Sequence, residues 1–176
     1  RGLYAPLIID DPAEPGDYDT DWVLVLDDWT DGIGRSPDDI LAAFKAEGGT
    51  VGQGMNHDMG GMGGMGRSPL GDVGDIAYPH YLINGRIPAA PLTLTAKPGH
   101  KARIRIINAA ADTLFRVALG GHSLTVTHTD GYPVQPTNAR AVYVGQGERV
   151  DLLVSLADGV FPLVAAAEGK QGQGLI

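Results

Sequence analysis

From Tyr81 to the C-terminus the chain is a succession of short apolar stretches, each closed by Gly, Pro or an Asp-Gly pair. Within the stretches apolar and polar residues alternate, the period that sends successive side chains to opposite faces of a strand. The pattern predicts strands at residues 81–84, 92–96, 102–108, 114–119, 122–129, 139–144, 149–155 and 161–166. Upstream, residues 4–11 and 21–29 read as two more, the second with a continuous apolar centre that suits burial on both faces. Short strands separated by turn signals indicate an all-β sandwich or barrel rather than an alternating βαβ sheet, and an antiparallel sandwich is predicted. The 26 Gly and 12 Pro in 176 residues fit a fold with that many tight turns.

One helix interrupts the pattern. Ser36 suits an N-cap, Pro37 the first helical position, and Asp38 and Asp39 the positive end of the helix dipole. Ile40, Leu41 and Phe44 supply an apolar stripe and Gly48-Gly49 a stop, so the helix is predicted over residues 36–46. Beyond it, residues 48–66 read GGTVGQGMNHDMGGMGGMG, with nine glycines and four methionines. No helix or strand period is present, which predicts a flexible loop. Met55, His57, Met59, Met62 and Met65 place soft thioethers and an imidazole close together in sequence, a donor set suited to Cu(I) rather than to hard cations. The alternative is a tether in which methionine has accumulated without binding anything.

Charge is unevenly placed. Residues 1–40 hold 11 acidic and 2 basic residues, a net of −9, and the remaining 10 acidic and 11 basic residues give +1, which together make the −8 of the whole chain. An acidic chain without clustered Lys and Arg is no nucleic-acid binder, and the acidic N-terminal quarter is expected to be a solvated surface. No apolar run reaches the ~20 residues of a membrane-spanning helix. The chain contains no Cys, which excludes disulfides, thiolate nucleophiles and a blue-copper centre, whose ligand set includes a Cys. Nothing in the sequence fixes the oligomeric state.

Five ordered signatures carry a family resemblance: Ile83-Asn84-Gly85; Pro98-Gly99 leading into Arg103-Ile104-Arg105-Ile106-Ile107-Asn108; Gly121-His122; Asp130-Gly131-Tyr132-Pro133-Val134; and Gly147-Glu148-Arg149-Val150-Asp151. In this order they resemble the second cupredoxin domain of three-domain bacterial multicopper oxidases. Gly2-Leu3-Tyr4-Ala5-Pro6-Leu7-Ile8-Ile9 is similar to the strand that follows the His-x-His copper motif of the first domain. The resemblance implies a cupredoxin-like Greek-key sandwich, with residues 1–12 ending a first domain, 13–19 a linker and 20–176 the second domain carrying the insert 48–66. It implies copper in the parent enzyme, flanking cupredoxin domains of the same polypeptide as partners, and an extracytoplasmic location, secreted or in the cell envelope.

The same resemblance implies that this domain holds no copper centre. Copper-bearing domains carry H-P-x-H-x-H-G-H-x-F; when the Gly-His is matched to Gly121-His122, the three ligand positions fall on Phe115, Ala118 and Gly120. None has a side chain that binds metal, and His122 matches a non-ligand His. His80, His100 and His128 are dispersed. A catalytic carboxylate at Asp130 or Asp151 is weighed against a structural one, and the structural reading is preferred. Arg103 with Arg105, and Arg149 with Asp151, each share a strand face and are expected to pair across strands. The segment is therefore expected to be a non-catalytic spacer in an oxidase that takes electrons from a phenol, an amine or a low-valent metal ion and reduces dioxygen to water. Two alternatives stand beside it: a separate copper-binding module that works through the Met-rich loop, and a sandwich that serves only interactions.

Overall fold

The structure, a computed structural model, describes residues 4–14, 16–30, 32, 34–46 and 78–176. In chain order the elements are β1 (Thr20–Trp29), α1 (Pro37–Ala46), β2 (His80–Ile83), β3 (Lys101–Asn108), β4 (Phe115–Leu119), β5 (Leu124–Thr129), β6 (Tyr132–Ala139), β7 (Val142–Val144), β8 (Arg149–Ser155), β9 (Leu163–Ala167) and β10 (Gln173–Leu175). They form two sheets, one of six strands in the order β2-β1-β3-β8-β5-β6 and one of four in the order β10-β9-β4-β7. The sandwich predicted from alternation is present. The Met-rich stretch 48–66, and with it Met55, His57, Met59, Met62 and Met65, lies outside the described residues.

Alternation builds the core directly. Leu24, Leu26, Ile104, Ile106, Val150 and Leu152 from the larger sheet meet Phe115, Val117, Val144 and Ala165 from the smaller one. Tyr81 closes one end, its ring edge-on to Phe115 at a centroid distance of 5.9 Å, a favoured aromatic geometry. Within this apolar interior Asn108 is almost fully buried and fully used. Its Nδ2 donates to the carbonyls of Thr113 at 2.8 Å and Val144 at 2.9 Å, and its Oδ1 accepts from the Ala110 N–H at 2.9 Å.

Four sequence expectations are corrected. The sandwich is not wholly antiparallel: β1 runs parallel to β3, with Trp22 opposite Ile104 and Leu24 opposite Ile106. Parallel neighbours need a long crossover, and the chain between residues 29 and 101, which includes α1 and β2, supplies it. Residues 92–96 are not a strand; that stretch follows Pro91 and makes no ladder. Residues 4–11 join neither sheet. Conversely, β6 and β10 carry no clear apolar alternation. β6 contains Pro133 and Pro136, tolerated because it is the sheet edge.

α1 begins as its sequence dictates, with a reciprocal capping box. The Asp39 N–H donates to Ser36 Oγ at 3.1 Å, and the Ser36 N–H donates to Asp39 Oδ2 at 3.1 Å. Hydrogen bonds from the Ser36 hydroxyl and then its N–H hold the Asp39 carboxyl below its usual range. Asn84 and Asp130, each followed by Gly, take positive φ of 49° and 50°, the turn geometry read from the sequence.

The short β10 crosses the chain at β2, and glycine makes the approach possible. A Cβ at Gly174 would stand 2.7 Å from Ile83 Cγ1 and 3.4 Å from the Leu82 carbonyl carbon. Gly174→Ala therefore forces Ile83 out of its packed rotamer and is expected to cost about 1–3 kcal/mol in urea denaturation, with the loss recovered in part by Ile83→Val. An undiminished midpoint would show that β10 is not held against β2.

Candidate functional site

The positions that match copper ligands are occupied by packing. Phe115 is fully buried in the core. A Cβ at Gly120 would meet Pro162 Cδ at 3.1 Å, so the chain is too close there for a larger side chain. His122 is committed to structure through both ring nitrogens. Its Nδ1 lies 2.6 Å from the Gly120 carbonyl and must donate, which leaves Nε2 as the lone pair that accepts the Ala157 N–H at 3.0 Å. The ring also packs edge-on against Phe161 at 4.6 Å. Among the described residues no group of three or more His, Asp or Glu is placed to hold a metal ion, and the chain has no Cys. The residues at the copper positions therefore do not fit a copper ion.

What the structure assembles instead is a charged seam. Lys101, Arg103 and Arg105 occupy alternate positions of β3, so their side chains project together from the outer face while Ala102, Ile104 and Ile106 enter the core. Each cation meets an acid from the N-terminal quarter. Lys101 Nζ reaches Asp17 at 2.5 Å, Arg103 Nη1 reaches Glu14 at 2.5 Å, and Arg105 Nη2 reaches Asp21 at 2.8 Å. Asp19 adds its carboxylate to the Lys101 N–H at 2.8 Å. The expectation that the acidic quarter is a solvated surface is thus corrected for Glu14, whose side chain is mostly buried against Arg103, while Asp17, Asp19 and Asp21 pair with β3 and stay exposed. The cations at positions 101, 103 and 105 following an acidic leader were the legible signal.

The three pairs differ in burial, and burial decides their weight. Lys101 and Asp17 are exposed, the class of pair that contributes little. Arg103 has only 5% of its side chain exposed. Its Nη2 donates to Asp151 at 2.5 Å, its Nη1 to Glu14, and the Tyr18 ring lies 5.4 Å from the guanidinium carbon. Burial opposes the charge, yet the hydrogen bonds that the guanidinium donates to Asp151, Glu14 and Tyr18 win and hold it above its usual range. Asp151 is thereby engaged in a structural ion pair, and Asp130 Oδ1 accepts the Arg149 N–H at 3.0 Å.

A second polar cluster lies at the far end of β1. The buried Asp28 accepts the N–H groups of Ala111 and Asp112, both at 3.0 Å, and the Thr113 hydroxyl at 2.7 Å. Lys170, 4% exposed, donates to the Asp112 carboxylate at 2.8 Å. Burial, followed by the charges of Asp28 and Asp112, pushes the Tyr78 phenol well up. Beside it, Asp27 pairs with Tyr4. Burial first, and then the hydrogen bond and charge of Asp27, push the Tyr4 phenol up to about 12. The Asp27 carboxyl is raised by its own burial, against the hydrogen bonds from Tyr4 and the Asp28 N–H.

Comparison with known proteins gives one consistent result. The family model described as multicopper oxidase matches residues 20–175. The multicopper oxidase MmcO of Mycobacterium tuberculosis is 56% identical over 179 residues, covering 97% of this chain and 34% of that protein. A copper resistance protein A homolog of Pseudomonas syringae is 31% identical, covering 97% of this chain and 32% of that protein. Among solved structures, Fet3p, a multicopper oxidase that functions in iron import, aligns with a TM-score of 0.68 at 19% identity, over 90% of this chain and 26% of its own; that likeness shows the cupredoxin-type fold alone. The chain spans about a third of the length of the relatives it matches.

The raised Asp27 carboxyl has a defined pH signature. Its folded pKa lies above the unfolded value, so its charge costs stability above the folded pKa, and the cost vanishes as pH falls below the unfolded one. Asp27→Asn keeps an acceptor for Tyr4 and Asp28 but removes the charge. In urea denaturation across a pH series, the variant is expected to lack this acid-side gain. Parallel curves for the two proteins would overturn the assignment.

Proposed function

Since the chain belongs to the multicopper oxidase family, we propose that it is the non-catalytic middle domain of such an enzyme. In this reading residues 20–176 space and pack the copper-bearing domains, 13–19 is the linker, and residues 1–12 end the preceding domain. The observation that carries it is the pairing of a family match over residues 20–175 with Phe115, Ala118 and Gly120 at the ligand-equivalent positions. The full enzyme would oxidise a phenol, an amine or a low-valent metal ion and reduce dioxygen to water, outside the cytoplasm, with all its catalytic copper in the flanking domains.

Several exposures support a packing role. Leu7 and Ile9 are 83% and 82% exposed, Tyr132 is 73% exposed, and Tyr143 and Val134 are partly uncovered. Aromatic and aliphatic side chains left open in one segment are the residues a neighbouring domain covers. The test is made on the full-length polypeptide containing this segment. His100→Gln and His128→Gln are expected to leave copper content and dioxygen-dependent oxidation of a phenolic dye within about twofold of wild type, because neither ring is a ligand in this reading. Loss of bound copper in either variant would end the spacer reading.

The soft donors Met55, His57, Met59, Met62 and Met65 support a second, separate role in Cu(I) binding. Replacing the four methionines with Leu keeps bulk and removes the donors. A Cu(I) titration against a competing chelator is expected to show weaker binding in the variant and no Zn(II) response in either protein. Superimposable Cu(I) curves would leave the stretch as a tether.

A further inference from the structure

The Arg103 guanidinium divides its two arms between different parts of the chain. Nη2 goes to Asp151 on β8, a fixed member of the six-stranded sheet, and Nη1 goes to Glu14, which precedes β1 and belongs to no sheet. Tyr18, also in the leader, lies over the same group. At the other end of the leader Tyr4 hydrogen-bonds Asp27 at the far end of β1. Residues 4–14 are therefore held at both ends against the outer face of the sheet, and outward-facing Val25, 5% exposed, and Asp27, 6% exposed, are buried on that face. Between the clamps Leu7 and Ile9 point to solvent.

We infer that Arg103 is the joint that fixes how the preceding part of the polypeptide sits on this sandwich; this rests on the middle-domain reading. A leader containing Pro12, Pro15 and Gly16 and held by nothing would allow two domains to move independently, the default for linked domains. The forked guanidinium removes that freedom because one planar group grips both sides at once, a geometry Lys cannot reproduce with a single ammonium. Both carboxylates are mostly buried, 20% and 15% exposed, so the grip is not screened away as an exposed pair is. The partner that benefits is a sheet domain of the same polypeptide, seated on the open Leu7 and Ile9 row. Arg103 acts as a positioning residue and touches no reacting atom.

The test uses the full-length enzyme with Arg103→Lys, Glu14→Gln and, as the exposed control, Lys101→Gln. Arg103→Lys keeps the charge near Asp151 and loses the second arm, while Glu14→Gln leaves the sandwich side untouched and so guards against simple unfolding. Both are expected to cleave about tenfold faster in the leader at residues 13–19 under limited proteolysis, the effect of losing one charge-assisted hydrogen bond. Both are also expected to show a larger radius of gyration in small-angle scattering, with copper content and the thermal transition of the sandwich retained. Lys101→Gln is expected to match wild type. Wild-type cleavage and scattering in folded, copper-loaded Arg103→Lys and Glu14→Gln would overturn the joint while leaving the middle-domain reading intact. A polypeptide with no folded domain preceding the leader would overturn that reading, and the joint with it.

Discussion

Strand β3 is used on both faces, and the rest of the molecule is arranged around that fact. Its inward residues Ala102, Ile104 and Ile106 are fully buried and form the centre of the core. Its outward residues Lys101, Arg103 and Arg105 collect the acids of the leader and of β1. Its ladders run to β1 on one side and β8 on the other. A one-residue slip of register would put three cations in the core and three apolar residues against carboxylates. The charged row and the apolar row thus specify the same register independently, which is the consistency that gives one structure rather than several.

The buried Arg103 cluster is poor evidence for stability as such. Removing charges from water is expensive, and the Nε–H of Arg103 finds no hydrogen-bond partner among the described residues. An apolar cluster of the same volume would hold the sheet face at least as well. What such a cluster cannot supply is direction: the five N–H groups of a guanidinium lie in one plane, so it donates to carboxylates only along fixed directions. A costly buried charge that joins a leader to a sheet suits the positioning of a neighbour better than it suits the sandwich alone.

In the middle-domain reading, the fold would be a copper-binding frame without its copper ligands. At the positions that the family resemblance matches to copper ligands, Phe115 fills the core and Gly120 lets the chain pass Pro162. His122 ties the Gly120 and Ala157 backbones together through its two ring nitrogens. The sandwich depends on alternation and turns, not on ligands, so the chemistry can be absent while the architecture stays.

Local sequence determined much of this. Two-residue alternation set most of the strands and the inward set of side chains, Ser36-Pro37-Asp38-Asp39 set the helix start, and Asn84-Gly85 and Asp130-Gly131 set two turns, because each depends on covalent geometry within a few residues. The absence of Cys and the residues at the ligand-equivalent positions set what chemistry this segment lacks. Other features were settled only by distant contacts. The parallel pairing of β1 with β3 depends on a crossover of many residues; β6 and β10 exist because neighbouring strands offer them an edge; and residues 4–11, an apolar run of strand length, find no sheet among the described residues. The pairing of Glu14, Asp17 and Asp21 with β3 belongs to this second group. Their charge was visible in the sequence, but a charge attracts over a distance without naming its partner, and only the packing of the leader against the outer face decided which cation each acid would meet.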